Sequence, residues 1–141
     1  MAMIERVHEH IIAELGQNTR TDIVFILTAI LLNLITLGVN SAIASGPRNE
    51  ATPTIIMFLF VSLIIVVNFV VVLGLIKGRE TRQKLIAGLL KMYKDQGVEG
   101  YYDPSLLGDY KVRYNLFMLV VLFTGVVALV IPFLLRSVPN F

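Results

Sequence analysis

The sequence predicts an all-α integral membrane protein: three transmembrane helices in a single membrane domain over residues 1–141, with an N-terminal amphipathic helix and a cytoplasmic helical hairpin between spans two and three. Only 16% of the residues are charged and the mean hydropathy is +0.78, whereas soluble domains have about 25% charged residues. Three long runs, 23–47, 51–76 and 114–135, contain no Asp, Glu, Lys, Arg or His. About 20 apolar residues span the hydrocarbon core as a helix, so each run is long enough to cross a membrane.

The segment before the first charge-free run is predicted to form a separate amphipathic helix over residues 1–17. Apolar side chains recur along it at helical spacing, at Ile4, Val7, Ile11, Ile12 and Leu15. Gly16 is typical of a helix end, while Asn18 and Thr19 fit the N-cap of the following helix and Asp22 fits its first turn. The first span is therefore expected to begin as a new helix.

The first two spans are predicted to form an antiparallel hairpin. The first covers residues 21–45, and a short connection, 46–52, leads to the second span over 53–76. Thr52 followed by Pro53 fits an N-cap and a first helical position. Proline is favourable there because the N–H group that it lacks would have no partner within the helix.

The connection between the second and third spans, residues 77–113, is predicted to be helical. Its apolar residues keep helical spacing as far as Gly97, and Gly78 is the one candidate break. Without that break the second helix would be about 65 Å long, at 1.5 Å per residue. The third span is expected over 114–135, with Pro132 able to kink its last turn.

Basic residues indicate the orientation in the membrane. The 77–113 connection holds eight Lys and Arg residues, whereas the 46–52 connection and the tail 136–141 hold one each. Cytoplasmic loops carry the excess of Lys and Arg. We therefore expect residues 1–17 and 77–113 to be cytoplasmic and the tail to lie outside, in a plasma (inner) membrane.

Asparagines inside the charge-free runs are the sharpest polar feature. At 100° per residue, Asn33, Thr36 and Asn40 fall within about 60° of one another and form one stripe on the first span. Asn68 of the second span matches Asn33 in depth. An amide in hydrocarbon must find a partner. Two interpretations stay open: the stripe pairs with another helix, or it lines a water-filled pore in an oligomer.

Small residues predict close helix packing. Gly38, Ala42 and Gly46 follow a small-xxx-small pattern on a different face from the asparagine stripe, and Gly125 and Ala128 make a weaker cluster on the third span. Such patterns let helix backbones approach each other in membranes.

The basic segment after the second span has two interpretations. It either determines topology and presents a solvated helix face, or it docks on anionic lipid headgroups or a partner protein, since such headgroups attract clusters of Lys and Arg. The candidate docking residues are Lys77, Arg79, Arg82, Lys84, Leu85, Leu89 and Tyr93.

No pattern in the sequence indicates catalysis. The chain contains no cysteine, and it has no phosphate-binding loop, nucleophile elbow or paired catalytic carboxylates. We expect no cofactor, no metal and no nucleic-acid partner.

The sequence therefore favours a small non-enzymatic oligomeric membrane protein that forms a pore or channel lined by the stripe of the first span. The alternative is a structural or accessory subunit that scaffolds a larger membrane complex. Either function implies the lipid bilayer and self-association or a larger assembly as partners.

Overall fold

The fold consists of three long helices that contact one another in a bundle. The structure, a computed structural model, describes residues 2–98 and 106–137, with side chains for 3–98 and 109–137. In chain order, the helices are α1 (Ala2–Ala44), α2 (Ala51–Asp95) and α3 (Leu106–Ser137). Each helix is long and apolar enough to cross a membrane. The predicted all-helical fold with three membrane-length helices is confirmed, while parts of the predicted connection and outer tail (99–105 and 138–141) lie outside the described residues.

The first helix runs without interruption from the N-terminal segment into the first span, so the prediction of a separate amphipathic helix is wrong. Gly16 lies inside α1, where a helical glycine costs only about 1 kcal/mol. The expected cap residues bond elsewhere. Asn18 Nδ2 donates to the carbonyl of Gly78 at 3.1 Å, and Thr19 Oγ1 donates to the carbonyl of Leu15 at 3.1 Å. Because these side chains have other partners, they do not end one helix and begin another.

The start of α2 also differs from the predicted cap. Glu50 occupies the N-cap position and makes no side-chain cap hydrogen bond, so the helix begins two residues before Pro53. Thr54 Oγ1 donates to the Glu50 carbonyl at 3.4 Å. The first four N–H groups of a helix have no partner within the helix, so a proline is tolerated throughout this turn. The predicted cap at Thr52 is therefore wrong.

The second helix continues far beyond its charge-free run. It crosses Gly78 without a break and ends at Asp95, and Gly97 then adopts a φ of 72°. Glycine adopts this left-handed conformation at little cost, which makes it the usual residue just beyond a helix end. The helical spacing that the sequence shows up to Gly97 thus belongs to one continuous helix.

We call residues 3–20 of α1 together with residues 78–95 of α2 the stalk. Along it the two helices pack side by side, and His8 Nε2 lies 3.2 Å from the hydroxyl of Tyr93. Residues 78–95, which form the longer arm of the helical hairpin predicted within 77–113, therefore pack on α1. They do not pair with α3 along their length, because α3 begins only about two turns before its charge-free run.

Two glycines let α2 approach α1 where the stalk joins the rest of the bundle. A Cβ atom on Gly74 would lie 3.0 Å from the ring of Phe25, and one on Gly78 would lie 2.6 Å from Asp22 Oδ1. The pair forms a Gly-xxx-Gly pattern, which permits close backbone contact between membrane helices. The small-xxx-small pattern in the sequence indicated Gly38, Ala42 and Gly46 for this role, and not this pair.

Substituting Gly78 tests this close contact. We expect Gly78→Ala to lower the free energy of unfolding by about 1–3 kcal/mol, because the added methyl overlaps the Asp22 carboxylate. Gly16→Ala is the matched control, since a Cβ atom there meets nothing within 4 Å, and alanine should stabilise that helical position by up to about 1 kcal/mol. Thermal unfolding in mild detergent, followed by circular dichroism, compares the two variants. Equal midpoints would contradict the close approach.

Candidate functional site: the amide pair and the boundary cleft

An asparagine pair joins α1 to α2 in the middle of the charge-free runs. Asn33 lies halfway between Asp22 and Ala44, the last residue of α1, and is only 1% exposed. Its Nδ2 donates to Asn68 Oδ1 at 3.0 Å, and Asn68 Nδ2 donates back to Asn33 Oδ1 at 2.8 Å. The two amides thus satisfy each other, as two carboxamides surrounded by hydrocarbon must.

The third helix joins the same polar group. Asn33 Nδ2 also lies 3.1 Å from Thr124 Oγ1 and 3.5 Å from the carbonyl of Val121. A Cβ atom on Gly125 would lie 2.7 Å from Asn68 Oδ1, so only glycine leaves room for the amide there. We call Asn33, Asn68 and Thr124 the amide node. Thr124 was not predicted from the sequence, where its only signal is a hydroxyl beside a glycine inside a span.

The rest of the predicted stripe also faces the interior. Thr36 and Asn40 are buried, and Asn40 Nδ2 donates to the carbonyl of Met57 at 3.4 Å. Within the described part of the chain, Asn40 Oδ1 has no hydrogen-bond partner. All four predicted residues therefore contact other helices of the same chain, and none of the α1 stripe lies on the outer surface of the bundle.

In contrast to the asparagine stripe, the small residues within α1 lie on its exposed face. Gly38 and Ala42 are exposed, and a Cβ atom on Gly38 meets nothing within 4 Å. Gly46 lies beyond the end of α1, and its N–H donates to the Ile43 carbonyl at 3.1 Å. Among the residues that the structure describes, nothing therefore covers Gly38 and Ala42, whereas Gly125 and Ala128 of α3 are buried.

The predicted docking residues after the second span do not share one surface. Lys77 and Lys84 are exposed, whereas Leu89 is buried, with only 3% of its surface exposed. Leu85 is half-buried, and Tyr93 contacts His8 across the stalk.

The two predicted docking arginines bond to other helices. Arg79 Nη1 donates to Asn115 Oδ1 of α3 at 2.7 Å. Arg82 Nη1 donates to Thr19 Oγ1 of α1 at 2.8 Å, and its guanidinium carbon lies 4.5 Å from the ring centre of Tyr110 of α3. No pattern in the sequence indicated that these charges would join helices.

Arg82 belongs to a group of polar side chains at the base of the stalk. The Tyr114 hydroxyl donates to the carboxylate of Asp22 and lies 2.9 Å from Asn18 Oδ1, which in turn lies 3.4 Å from Arg82 Nη1. We call Asn18, Thr19, Asp22, Arg82 and Tyr114 the boundary cluster. It joins all three helices at the stalk end of the charge-free runs.

An open cleft of about 380 Å³ lies beside the boundary cluster. This volume falls within the range of ligand pockets, roughly 300–1,000 Å³. Polar and basic side chains line the end nearest the stalk, and apolar side chains line the end that extends into the charge-free runs. The cleft is lined by Thr19, Asp22, Ile23, Ile26, Leu27, Arg82, Tyr110, Arg113, Tyr114 and Phe117. We call it the boundary cleft.

Comparison with protein-family models, curated proteins and solved structures found no match for this chain. Within residues 2–98 and 106–137, no group of three or more His, Asp or Glu side chains lies close enough to hold a metal ion. The amide node and the boundary cleft are the two candidate sites.

The amide node predicts coupling between its two asparagines. We expect Asn33→Leu and Asn68→Leu each to lower the free energy of unfolding by about 1 kcal/mol, because each leaves the other amide with fewer partners. In a double-mutant cycle, the coupling should lie between about 0.6 kcal/mol, the average measured for hydrogen bonds between membrane helices, and about 1.7 kcal/mol, the largest value measured.

Equilibrium unfolding in sodium dodecyl sulfate measures this coupling. Ser62→Ala is the matched control, because the Ser62 hydroxyl donates only to the Phe58 carbonyl of its own helix, at 2.9 Å, and its loss should leave the midpoint unchanged. Simple additivity of the two asparagine substitutions would show that they do not act as a pair.

Proposed function

We propose that this chain is a small non-enzymatic membrane protein with a structural role, which self-associates through the face of α1 that carries Gly38 and Ala42. The observation that carries the proposal is the division of α1 into two faces. One face buries Asn33, Thr36 and Asn40 within the chain, and the opposite face leaves its two small residues open.

The exposed face has the shape that favours contact with another helix. Gly38 and Ala42 lie one turn apart between the exposed apolar side chains of Leu31 and Ile35 and the end of α1. Small residues in this arrangement form a shallow groove where a second backbone can come close, and van der Waals packing then drives association in lipid. A second copy of α1 presents the same groove, which suits a twofold symmetric contact.

A pore lined by the stripe of α1 has less support. Asn33 and Asn40 donate to groups on other helices of the same chain, and all three stripe residues are buried. Lining a water-filled pore would require α1 to turn these side chains outward and give up those hydrogen bonds. The structural role needs no such rearrangement.

The alternative is also a structural role, that of an accessory subunit that scaffolds a larger membrane complex. The exposed cations Lys77 and Lys84 lie on the stalk side of α2, where they would face the cytoplasm under the positive-inside rule. They are suited to contact anionic headgroups or an acidic partner surface.

Cysteine cross-linking tests self-association, because the chain contains no cysteine of its own. We expect Gly38→Cys and Ala42→Cys to form disulfide-linked dimers in native membranes under mild oxidation. Phe123→Cys is the matched control: this α3 residue is 67% exposed and inside a charge-free run, and it should remain monomeric. Cross-linking that is equal at all three positions, or absent from all of them, would contradict the proposed interface.

Conductance separates the structural role from the pore. We expect the reconstituted protein to give no conductance above that of protein-free planar bilayers, because the α1 stripe is paired inside the chain. A conductance that Asn33→Leu or Asn40→Leu changes while assembly survives would favour the pore instead. If the protein instead stays monomeric and co-purifies with a larger membrane complex, the role of accessory subunit would be favoured.

A further inference from the structure

We propose that the boundary cleft binds one anionic phospholipid from the leaflet that borders the stalk. The phosphate would lie between Arg82 and Arg113, and one acyl chain would follow the apolar end of the cleft. The inference does not depend on the proposed self-association, since Leu27, the cleft residue nearest to Gly38, lies about three turns of α1 away from it.

The order of side chains along the cleft matches the order of chemical groups in a phospholipid. Arg82, Tyr110 and Arg113 line the end nearest the stalk. Leu27 and Phe117 line the end that enters the charge-free runs, where hydrocarbon is expected. A ligand with a charged head and an apolar tail therefore fits along the cleft in one direction only.

The basic side chains at the polar end have unused hydrogen-bonding capacity. Arg82 uses Nη1 to hold Thr19, and every hydrogen bond that it makes to a described residue starts from that same nitrogen. Arg113 is exposed and makes no hydrogen bond or ion pair to any described residue. Guanidinium groups bind phosphate oxygens strongly, since they offer several N–H donors in one plane.

Local charge favours an anion over a neutral ligand. The cleft is lined by two arginines and one carboxylate, Asp22, and the carboxylate already accepts a hydrogen bond from Tyr114. A headgroup with net negative charge complements this surface better than a zwitterionic one.

A lipid suits the cleft better than a protein segment does. The cleft is open to the surroundings, and its apolar end lies within the charge-free runs of α1 and α3, where hydrocarbon is expected. A peptide reaching that end would have to carry unpaired backbone groups into hydrocarbon, where each costs several kcal/mol. An acyl chain has no such groups.

Tryptophan quenching by brominated lipids tests the proposal, because the chain contains no tryptophan of its own. Phe117→Trp places a single reporter in the cleft wall, and Phe123→Trp places one on the exposed surface of the same helix. Each protein is reconstituted in vesicles that mix brominated phosphatidylglycerol or brominated phosphatidylcholine with the corresponding unlabelled lipids. At the cleft reporter, we expect a preference for phosphatidylglycerol of about fivefold for each basic residue engaged. The surface reporter should show less than twofold preference.

Charge-removing substitutions locate the headgroup. Arg113→Gln should reduce the preference at the cleft reporter about fivefold, whereas Lys111→Gln, which removes the same charge from the same helix, should change it less than twofold. Equal effects of the two substitutions would overturn the proposal and indicate a diffuse surface attraction. Equal quenching by both lipids at the cleft reporter would also overturn it.

Native mass spectrometry of the unaltered chain provides a second measurement. After equilibration with equal amounts of phosphatidylglycerol and phosphatidylcholine in detergent, we expect one phosphatidylglycerol to remain bound per chain, and Arg113→Gln to remove most of it. Retention of either lipid in equal amount would contradict an anion-selective site. So would binding that Arg113→Gln leaves unchanged.

Discussion

A carboxamide cannot stay unpaired in hydrocarbon, and this constraint fixes how the three helices are rotated in the bundle. Asn33 must face Asn68 to exchange two hydrogen bonds with it, and Thr124 brings α3 to the same point. Once these three side chains point inward, helical geometry decides which residues point outward. The exposure of Gly38 on the far side of α1 is thus a consequence of where Asn33 must point.

Polar pairing of this kind also demands short distances between helix backbones. Asparagine and aspartate side chains are short, so they reach a neighbour only where the opposite helix has no bulk. Gly125 leaves room for Asn68, and Gly78 leaves room for Asp22. At these two contacts, a glycine therefore lies opposite a polar side chain. The apolar core, with Ala29 and Val121 among its members, fills the space between these points.

The features that could be read from the sequence are those that depend on one segment at a time. Charge-free runs gave the number of spans, and helical spacing gave the shared face of Asn33 and Asn40 together with the matching depth of Asn68. Apart from the cap predicted at Thr52, the failures involve a partner elsewhere in the chain. From the sequence Asn18 fits a helix cap, but in the folded chain its side chain bonds to the carbonyl of Gly78. Arg82 looks like a solvated charge until α1 and α3 enclose it.

The boundary cleft could not have been predicted either, because its walls come from three separate helices and its depth depends on how closely they pack. Its residues carry no shared spacing: Leu27 and Phe117 read simply as members of spans, and Arg113 as part of a basic loop. Only the packing of α1, α2 and α3 around the boundary cluster brings a cation and an apolar wall into one space.

The absence of a helix break at Gly16 and at Gly78 has a mechanical consequence. The stalk consists of the same two helices that carry the first and second charge-free runs, and its 18 residues of α2 make an arm of about 27 Å. A sideways force on the stalk tip is therefore passed to the spans by stiff helices, with no flexible joint to absorb it. The boundary cluster lies at the fulcrum of this lever.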